Sequence, residues 1–122
     1  IKWSTLTGSN YGVDISDVEA GKYKCYFYND SAYTQKIEQT VTGVSNGTHT
    51  VTAYVKQNIG TPTLCRMELS DFSGSTIYTN ISSNNSYTKI SGTIDVTNGQ
   101  VNIVFYESAT GANLQIDDVE LS

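Results

Sequence analysis

THTVTAYVK, residues 48–56, decides the fold, because its alternation assigns a face to every residue in it. Side chains alternate across a strand, so Val51, Ala53 and Val55 share one face while Thr50, Thr52, Tyr54 and Lys56 share the other. The first face is apolar and reads as core. The second carries a large aromatic ring beside an amine, which an ordinary solvated face seldom does.

Working outward, the same pattern returns. KYKCYFYN, residues 22–29, sets Tyr23, Cys25 and Phe27 against Lys24, Tyr26 and Tyr28, and TQKIEQTVTG, residues 34–43, puts Ile37, Gln39 and Val41 on one face. LCRMELS, residues 64–70, places Cys65, Met67 and Leu69 opposite Arg66, Glu68 and Ser70. QVNIVFYE, residues 100–107, sets Val101, Ile103 and Phe105 inward and Asn102, Val104 and Tyr106 outward. IKWSTLT at the start, a short STIYT, SYTKISGTIDV and the closing ANLQIDDVELS complete the set. Ser45-Asn46-Gly47 and Thr97-Asn98-Gly99 are hairpin signals, since Asn-Gly tolerates the positive φ angles of a type I′ turn, and the first predicts that residues 48–56 pair with the strand before them. Gln57 to Pro62, holding the one proline, reads as a loop. Ile15 to Ala20 is the nearest approach to a helix, and it is short and runs into Gly21.

Roughly nine short strands joined by turn residues predict an all-β sandwich of two antiparallel sheets. No composition shift divides the chain, so residues 1–122 form one domain, as 122 residues around one core would. Seven basic residues against twelve acidic ones give a net charge of −5, and the basic residues are scattered, which argues against a nucleic-acid surface. A charged fraction of only 16%, with abundant Ser, Thr, Asn, Gly and Tyr, is typical of secreted β-proteins. No apolar run is long enough to cross a bilayer. The chain starts at Ile1 rather than Met and reads as a module of something longer.

Catalytic chemistry finds little support. His49 stands at a strand start with no nucleophile motif near it, and Glu68 with Glu107 would make a carboxylate pair of the kind that serves a glycosidase if their strands are neighbours, though no local pattern supports it. Cys25 and Cys65 lack the spacing of a zinc site. Both fall on core faces, which leaves open a single disulfide or two buried free thiols.

Trp3, Gly21-Lys22-Tyr23, Gln39-Thr40-Val41, the stretch from His49 to Lys56 and the closing IDDVEL, in that order, resemble the carbohydrate-binding modules of the grouping that includes families four, nine, sixteen and twenty-two. The stretch from Tyr28 to Thr42, with Asp71-Phe-Ser-Gly74 and Thr97 to Val101, is similar to modules appended to bacterial endo-β-1,4-galactanases. The resemblance departs at the front, where the family's Asn-Gly-Asp-Phe-Glu-like strand is missing ahead of Trp3. It implies a jelly roll without catalysis of its own, secreted by a bacterium, whose concave sheet binds a polysaccharide for a covalently attached hydrolase. It also implies one structural Ca2+, for which only Gly21, Lys22 and the Asp117-Asp118 pair match here. Leu114 and Ile116 share a parity that Val119 and Leu121 do not, so the aspartates sit where a bulge would turn one of them toward a hard cation.

A pyranose needs an aromatic plane under its C–H face and donors and acceptors at its rim. The outward set that supplies both is Tyr26, Tyr28, Tyr54, Arg66, Glu68, Asn102, Tyr106 and Gln115, with Lys56 at the rim. Trp3 and Tyr23 share parity with the core and read as packing; Tyr11, Tyr33, Tyr78 and Tyr87 fall in or near loops. The expected partners are a polysaccharide and the attached catalytic domain, with the module itself a monomer and no nucleic acid or membrane involved. The alternative is a structural or adhesive sandwich of a bacterial cell-surface protein.

Overall fold

The structure, a computed structural model, describes the backbone of residues 5–7, 11–14, 24–58 and 61–122 and the side chains of residues 25–57 and 64–122. Within them lie ten strands: β1 (Thr5–Thr7), β2 (Tyr11–Asp14), β3 (Lys24–Tyr28), β4 (Ala32–Thr42), β5 (Gly47–Asn58), β6 (Thr61–Ser70), β7 (Ile77–Asn80), β8 (Thr88–Val96), β9 (Gln100–Thr110) and β10 (Asn113–Leu121). They form two five-stranded antiparallel sheets. The first runs β1-β4-β9-β6-β7 and the second β2-β3-β10-β5-β8. The expected two-sheet sandwich is therefore what the chain builds, and its helix-like stretch Ile15–Ala20, along with Trp3, Gly21, Lys22 and Tyr23, lies outside the described residues.

Alternation accounts for the core. Phe27, Ile37, Val51, Met67, Leu69, Phe105 and Leu114 are fully buried between the sheets, each contributing about 1.5–3 kcal/mol of burial. Cys25 and Cys65 join that core as free thiols, with burial pushing the Cys25 thiol up to about 11 and Cys65 further in the same direction. At one end the core turns polar. Glu107, at 0% exposure, accepts hydrogen bonds from the Tyr33 hydroxyl and the Gln57 amide, with the Cys65 thiol also beside it.

Two local expectations are corrected. Neither Asn-Gly site makes a hairpin: β4 and β5 lie in different sheets, as do β8 and β9, so both turns carry the chain across the sandwich. Gly43, Gly47 and Gly99 have positive φ but Asn46 and Asn98 do not, so the expected type I′ turns, which need it at both central residues, are not formed either. The two crossings brace each other instead, Val44 N donating to Gly99 O at 3.0 Å and Gly99 N to Asn46 Oδ1 at 3.0 Å. The second correction concerns Gln57 to Pro62, where Gln57, Asn58, Thr61 and Pro62 belong to strands. Pro62 is tolerated because β7 pairs with Arg66 to Leu69 only, which leaves this end of β6 an edge among the described residues, and a register shift follows at Leu64.

Candidate ligand-binding face

The outer face of the first sheet is laid out in rows by its register. β9 lies between β4 and β6, so Tyr106 faces Lys36 on one side and Arg66 on the other; Val104 lies between Glu38 and Glu68, and Asn102 between Thr40 and Ser70. β7 adds Asn80 beside Arg66 and Tyr78 beside Glu68. Same-face residues two apart on a strand stand about 7 Å apart, so a row of cations with Tyr106 is followed by a row of carboxylates with Val104.

Each charge is held by a neighbour. Arg66 Nε donates to Glu68 Oε2 at 2.7 Å, and the guanidinium lies 4.1 Å from the Tyr78 ring centre and 5.9 Å from that of Tyr106. Such a plane between two rings is fixed by cation–π attraction as well as by its carboxylate. Lys36 Nζ sits 3.7 Å from Glu38 Oε1, and Asn102 Nδ2 donates to Glu38 Oε2 at 3.3 Å while its Oδ1 accepts from Thr40 Oγ1 at 2.9 Å. Asn102 and Val104 are only 7% exposed although they face away from the core. They form the floor of a groove of about 200 Å³ walled by Lys36, Glu38, Glu68, Ser70 and Thr76. Two aromatic rings, a guanidinium and a groove with an amide on its floor and carboxylates and hydroxyls in its walls suit a flat, polyhydroxylated ligand. With two cations matched by two carboxylates, the face suits a neutral one.

The eight residues expected on one binding face do not share it. Arg66, Glu68, Asn102 and Tyr106 lie on this sheet; Tyr26, Tyr28, Tyr54 and Gln115 lie on the outer face of the other, across the thickness of the sandwich. Parity states only that a residue points away from the core, not which sheet carries it. On the second sheet Tyr26 faces Gln115, which faces Lys56, and Tyr54 lies between Asp117 and Lys89. This face is partly covered, the Tyr87 hydroxyl donating to Gln115 Oε1 at 3.2 Å and the Lys56 amine lying 5.9 Å from the Tyr87 ring centre. Tyr28 donates its hydroxyl to Asp30.

Sequence reasoning passed over Tyr78, Lys36, Glu38 and Thr40. The last three were legible as the face of β4 opposite Ile37, Gln39 and Val41. Tyr78 was not, because its place beside Glu68 depends on the register of β7. The strands of Glu68 and Glu107 are neighbours, as a carboxylate pair would need, but the two side chains point to opposite faces of the first sheet and form none. His49 is held by strand ends, its ring nitrogens 2.6 Å from Ser45 O and 3.2 Å from Ser122 O.

Similar solved structures share this architecture. TmCBM61, solved in complex with β-1,4-galactotriose, superimposes with a TM-score of 0.79 at 19% identity, over 97% of this chain and 85% of that one. A family 16 carbohydrate-binding module follows at 0.72 and 14%, over 94% and 86%, and the CBM22-1 xylan-binding domain of Paenibacillus barcinonensis Xyn10C at 0.62 and 19%, over 96% and 83%. The fold is that of the carbohydrate-binding modules. No family model matches the chain. Among curated proteins it is 40% identical over 106 residues to a 1,6-α-glucosyltransferase of Sporosarcina globispora; the match takes in 84% of this chain and 8% of that protein's length.

On this carbohydrate-binding-module fold, the expected bulge in the last strand is present. The register of β10 against β5 shifts between Asp117 and Glu120, and Asp118 takes a φ of 51° with its N–H donating to Asp117 Oδ1 at 2.8 Å. The carboxylate oxygens are of the hard type Ca2+ takes. Among the described residues no three His, Cys, Asp or Glu side chains group as a metal site, and Gly21 and Lys22, the other expected contributors, lie outside them.

Proposed function

We propose that this chain is a non-catalytic carbohydrate-binding module that holds a neutral polysaccharide along the outer face of its first sheet. The observation that carries the reading is the Tyr78–Arg66–Tyr106 stack beside a groove floored by Asn102 and Val104, on a fold shared with solved carbohydrate-binding modules. The rings offer planes for pyranose C–H faces, and Arg66, Glu68, Glu38 and Asn102 offer donors and acceptors for hydroxyls. Half of the residues expected to bind, Arg66, Glu68, Asn102 and Tyr106, are in this reading, joined by Tyr78 and Lys36. Tyr26, Tyr28, Tyr54 and Gln115 are outside it.

β-1,4-Galactan is the first ligand to test, since TmCBM61 was solved with β-1,4-galactotriose. The 40% identity to a 1,6-α-glucosyltransferase favours an α-1,6-linked glucan as the second. Because the matched segment is 8% of that protein, the same comparison supports a module covalently attached to a carbohydrate-active catalytic domain, with an α-glucosyltransferase now beside the hydrolase first expected. In this reading the module is a secreted bacterial monomer, and a structural Ca2+ at the β10 bulge would be held by Asp117 or Asp118 with carbonyls near Gly21 and Lys22. Affinity electrophoresis through gels of galactan, dextran, xylan and β-glucan tests the function. Retardation in galactan or dextran, abolished by Arg66→Ala, is the expected result; no retardation in any gel refutes it and favours a structural or adhesive role.

A further inference from the structure

The groove ends at the loop joining β6 to β7, and this loop presents Phe72 with 62% of its surface exposed, more than any other large apolar side chain among the described residues. Its φ is 67°, in the left-handed region where a β-carbon is crowded and where glycine or asparagine sits at lower cost. Two costs therefore fall on one residue. An apolar ring is left in water, and it is carried on a strained backbone.

The loop that holds it is firmly tied. The Asp71 carboxylate accepts the N–H and hydroxyl of Ser73 at 3.0 and 2.7 Å and the N–H and hydroxyl of Thr97, both at 2.9 Å. The Asp71 carbonyl accepts the side-chain amides of Asn98 and Gln100 at 2.6 and 3.4 Å, and Phe72 N–H reaches Ser70 Oγ at 3.4 Å. Ser73 and Thr97 hold the Asp71 carboxyl well below the usual range, as a carboxylate with that many donors should be. A strained residue persists only where its surroundings over-determine it, and such residues gather at binding sites. The loop is also continuous with the groove: Ser70 shares a row with Asn102 and Thr40, and Ser70 and Thr76 line its wall.

We propose that Phe72 is a further sugar-contact residue, a rigidly presented ring that takes a pyranose beyond those bound at Tyr78 and Tyr106. The proposal rests on the carbohydrate-binding reading above. From the Arg66 row to the Ser70 row the strand covers about 13 Å, so only a ligand of several sugar rings reaches both the Arg66 stack and the loop. Phe72 accordingly acts on long chains and not on short ones.

The test is calorimetric titration of the wild type, Phe72→Ala and Tyr78→Ala with β-1,4-galacto-oligosaccharides and isomalto-oligosaccharides of two to six units. Phe72→Ala is expected to weaken the longest bound oligosaccharide by about tenfold, one aromatic contact, and to leave the disaccharide unchanged. Tyr78→Ala should weaken every length. Wild-type affinity of Phe72→Ala at all lengths, or a uniform loss at all lengths, overturns the proposal. Failure of the wild type to bind either series overturns the carbohydrate reading with it. A melting curve supplies the second readout: Phe72→Asn, which accepts the left-handed backbone, should raise Tm while losing long-chain affinity. An unchanged or lowered Tm removes the strain on which the proposal stands.

Discussion

Glu107 is the position where a single substitution says most about this fold. Its carboxyl is fully buried and receives Tyr33 on one oxygen and Gln57 on the other, while Gln57 Oε1 has no partner among the described residues and Tyr33 also reaches Ala112 O at 3.1 Å. Glu107→Ala leaves the Gln57 amide buried without a bond at either end, a cost of about 1–3 kcal/mol. The lost volume of about 50 Å³ adds roughly 1 kcal/mol of cavity. About 3 kcal/mol in total lowers Tm by about 10 °C for a domain of this size. Glu107→Gln keeps an acceptor oxygen and gains an N–H2 able to donate to Gln57 Oε1, so it should cost about 1 kcal/mol or less. Burial is the main influence on Glu107 and raises its carboxyl above the ordinary glutamate value. The folded protein then keeps a proton that the unfolded chain has released. This stabilisation is complete below the ordinary value and is lost as pH rises through the raised one. Urea titrations of wild type and Glu107→Gln across that interval are the assay, and the wild type should lose stability relative to the variant as pH rises. A difference that stays flat, or grows toward neutral pH, would mean that the surrounding donors hold an ionised carboxylate, and would refute the reasoning.

Four further outcomes can be checked on the same protein. Tyr78→Ala should weaken sugar binding about tenfold with Tm unchanged, since the ring is 55% exposed, whereas Tyr54→Ala on the other sheet should change affinity less than about twofold; titration calorimetry on both variants checks the choice of face. Gly92→Ala puts a methyl 2.9 Å from Leu69 Cδ1, 3.1 Å from Thr79 Oγ1 and 3.2 Å from Met67 Cε, costing about 1–3 kcal/mol of overpacking that a melt would show as a lower Tm. Cys25 and Cys65, buried and with raised thiol pKa values, should resist a thiol reagent at neutral pH in the native protein and react as two thiols in denaturant. Chelation should lower Tm in the wild type but not in a variant carrying Asp117→Asn and Asp118→Asn if the bulge holds Ca2+; equal melts would remove the metal from the reading.

What the sequence made legible follows from the range of the interaction behind it. Alternation is a property of one strand, so Val51, Ala53 and Val55, or Val101, Ile103 and Phe105, could be placed in the core from their own segments. The slip between Ile116 and Val119 likewise foretold the bulge. Sheet membership is set by pairs such as Lys36 with Tyr106 and Tyr106 with Arg66, far apart in the chain, and no local pattern encodes them. Asn46-Gly47 and Asn98-Gly99 show the same boundary from the other side. Their glycines take the positive φ expected of them while Asn46 and Asn98 do not, and whether the chain closes a hairpin or crosses the sandwich depends on strands elsewhere.

That boundary explains why the expected binding face divided evenly. From β3 to β10 the chain changes sheet at every connection except β6 to β7. In such a topology, side chains pointing away from the core on successive strands go to opposite outer surfaces, so a set gathered by parity alone is shared between them. Residues on one surface must come from strands that are neighbours in the sheet, and β4, β9 and β6 are neighbours of long extent, with β7 beside them. Their outward residues are Lys36, Glu38, Thr40, Asn102, Tyr106, Arg66, Glu68 and Tyr78, a set in which each charge has a partner and the floor is recessed. On the opposite surface Tyr87 covers Gln115 and Tyr28 is bonded to Asp30, so both surfaces make polar contacts of their own, and what argues for the first is its recessed groove beside a guanidinium held by two rings. The choice between the two surfaces therefore rests on the groove and the Arg66 stack beside it, and not on the number of tyrosines each displays.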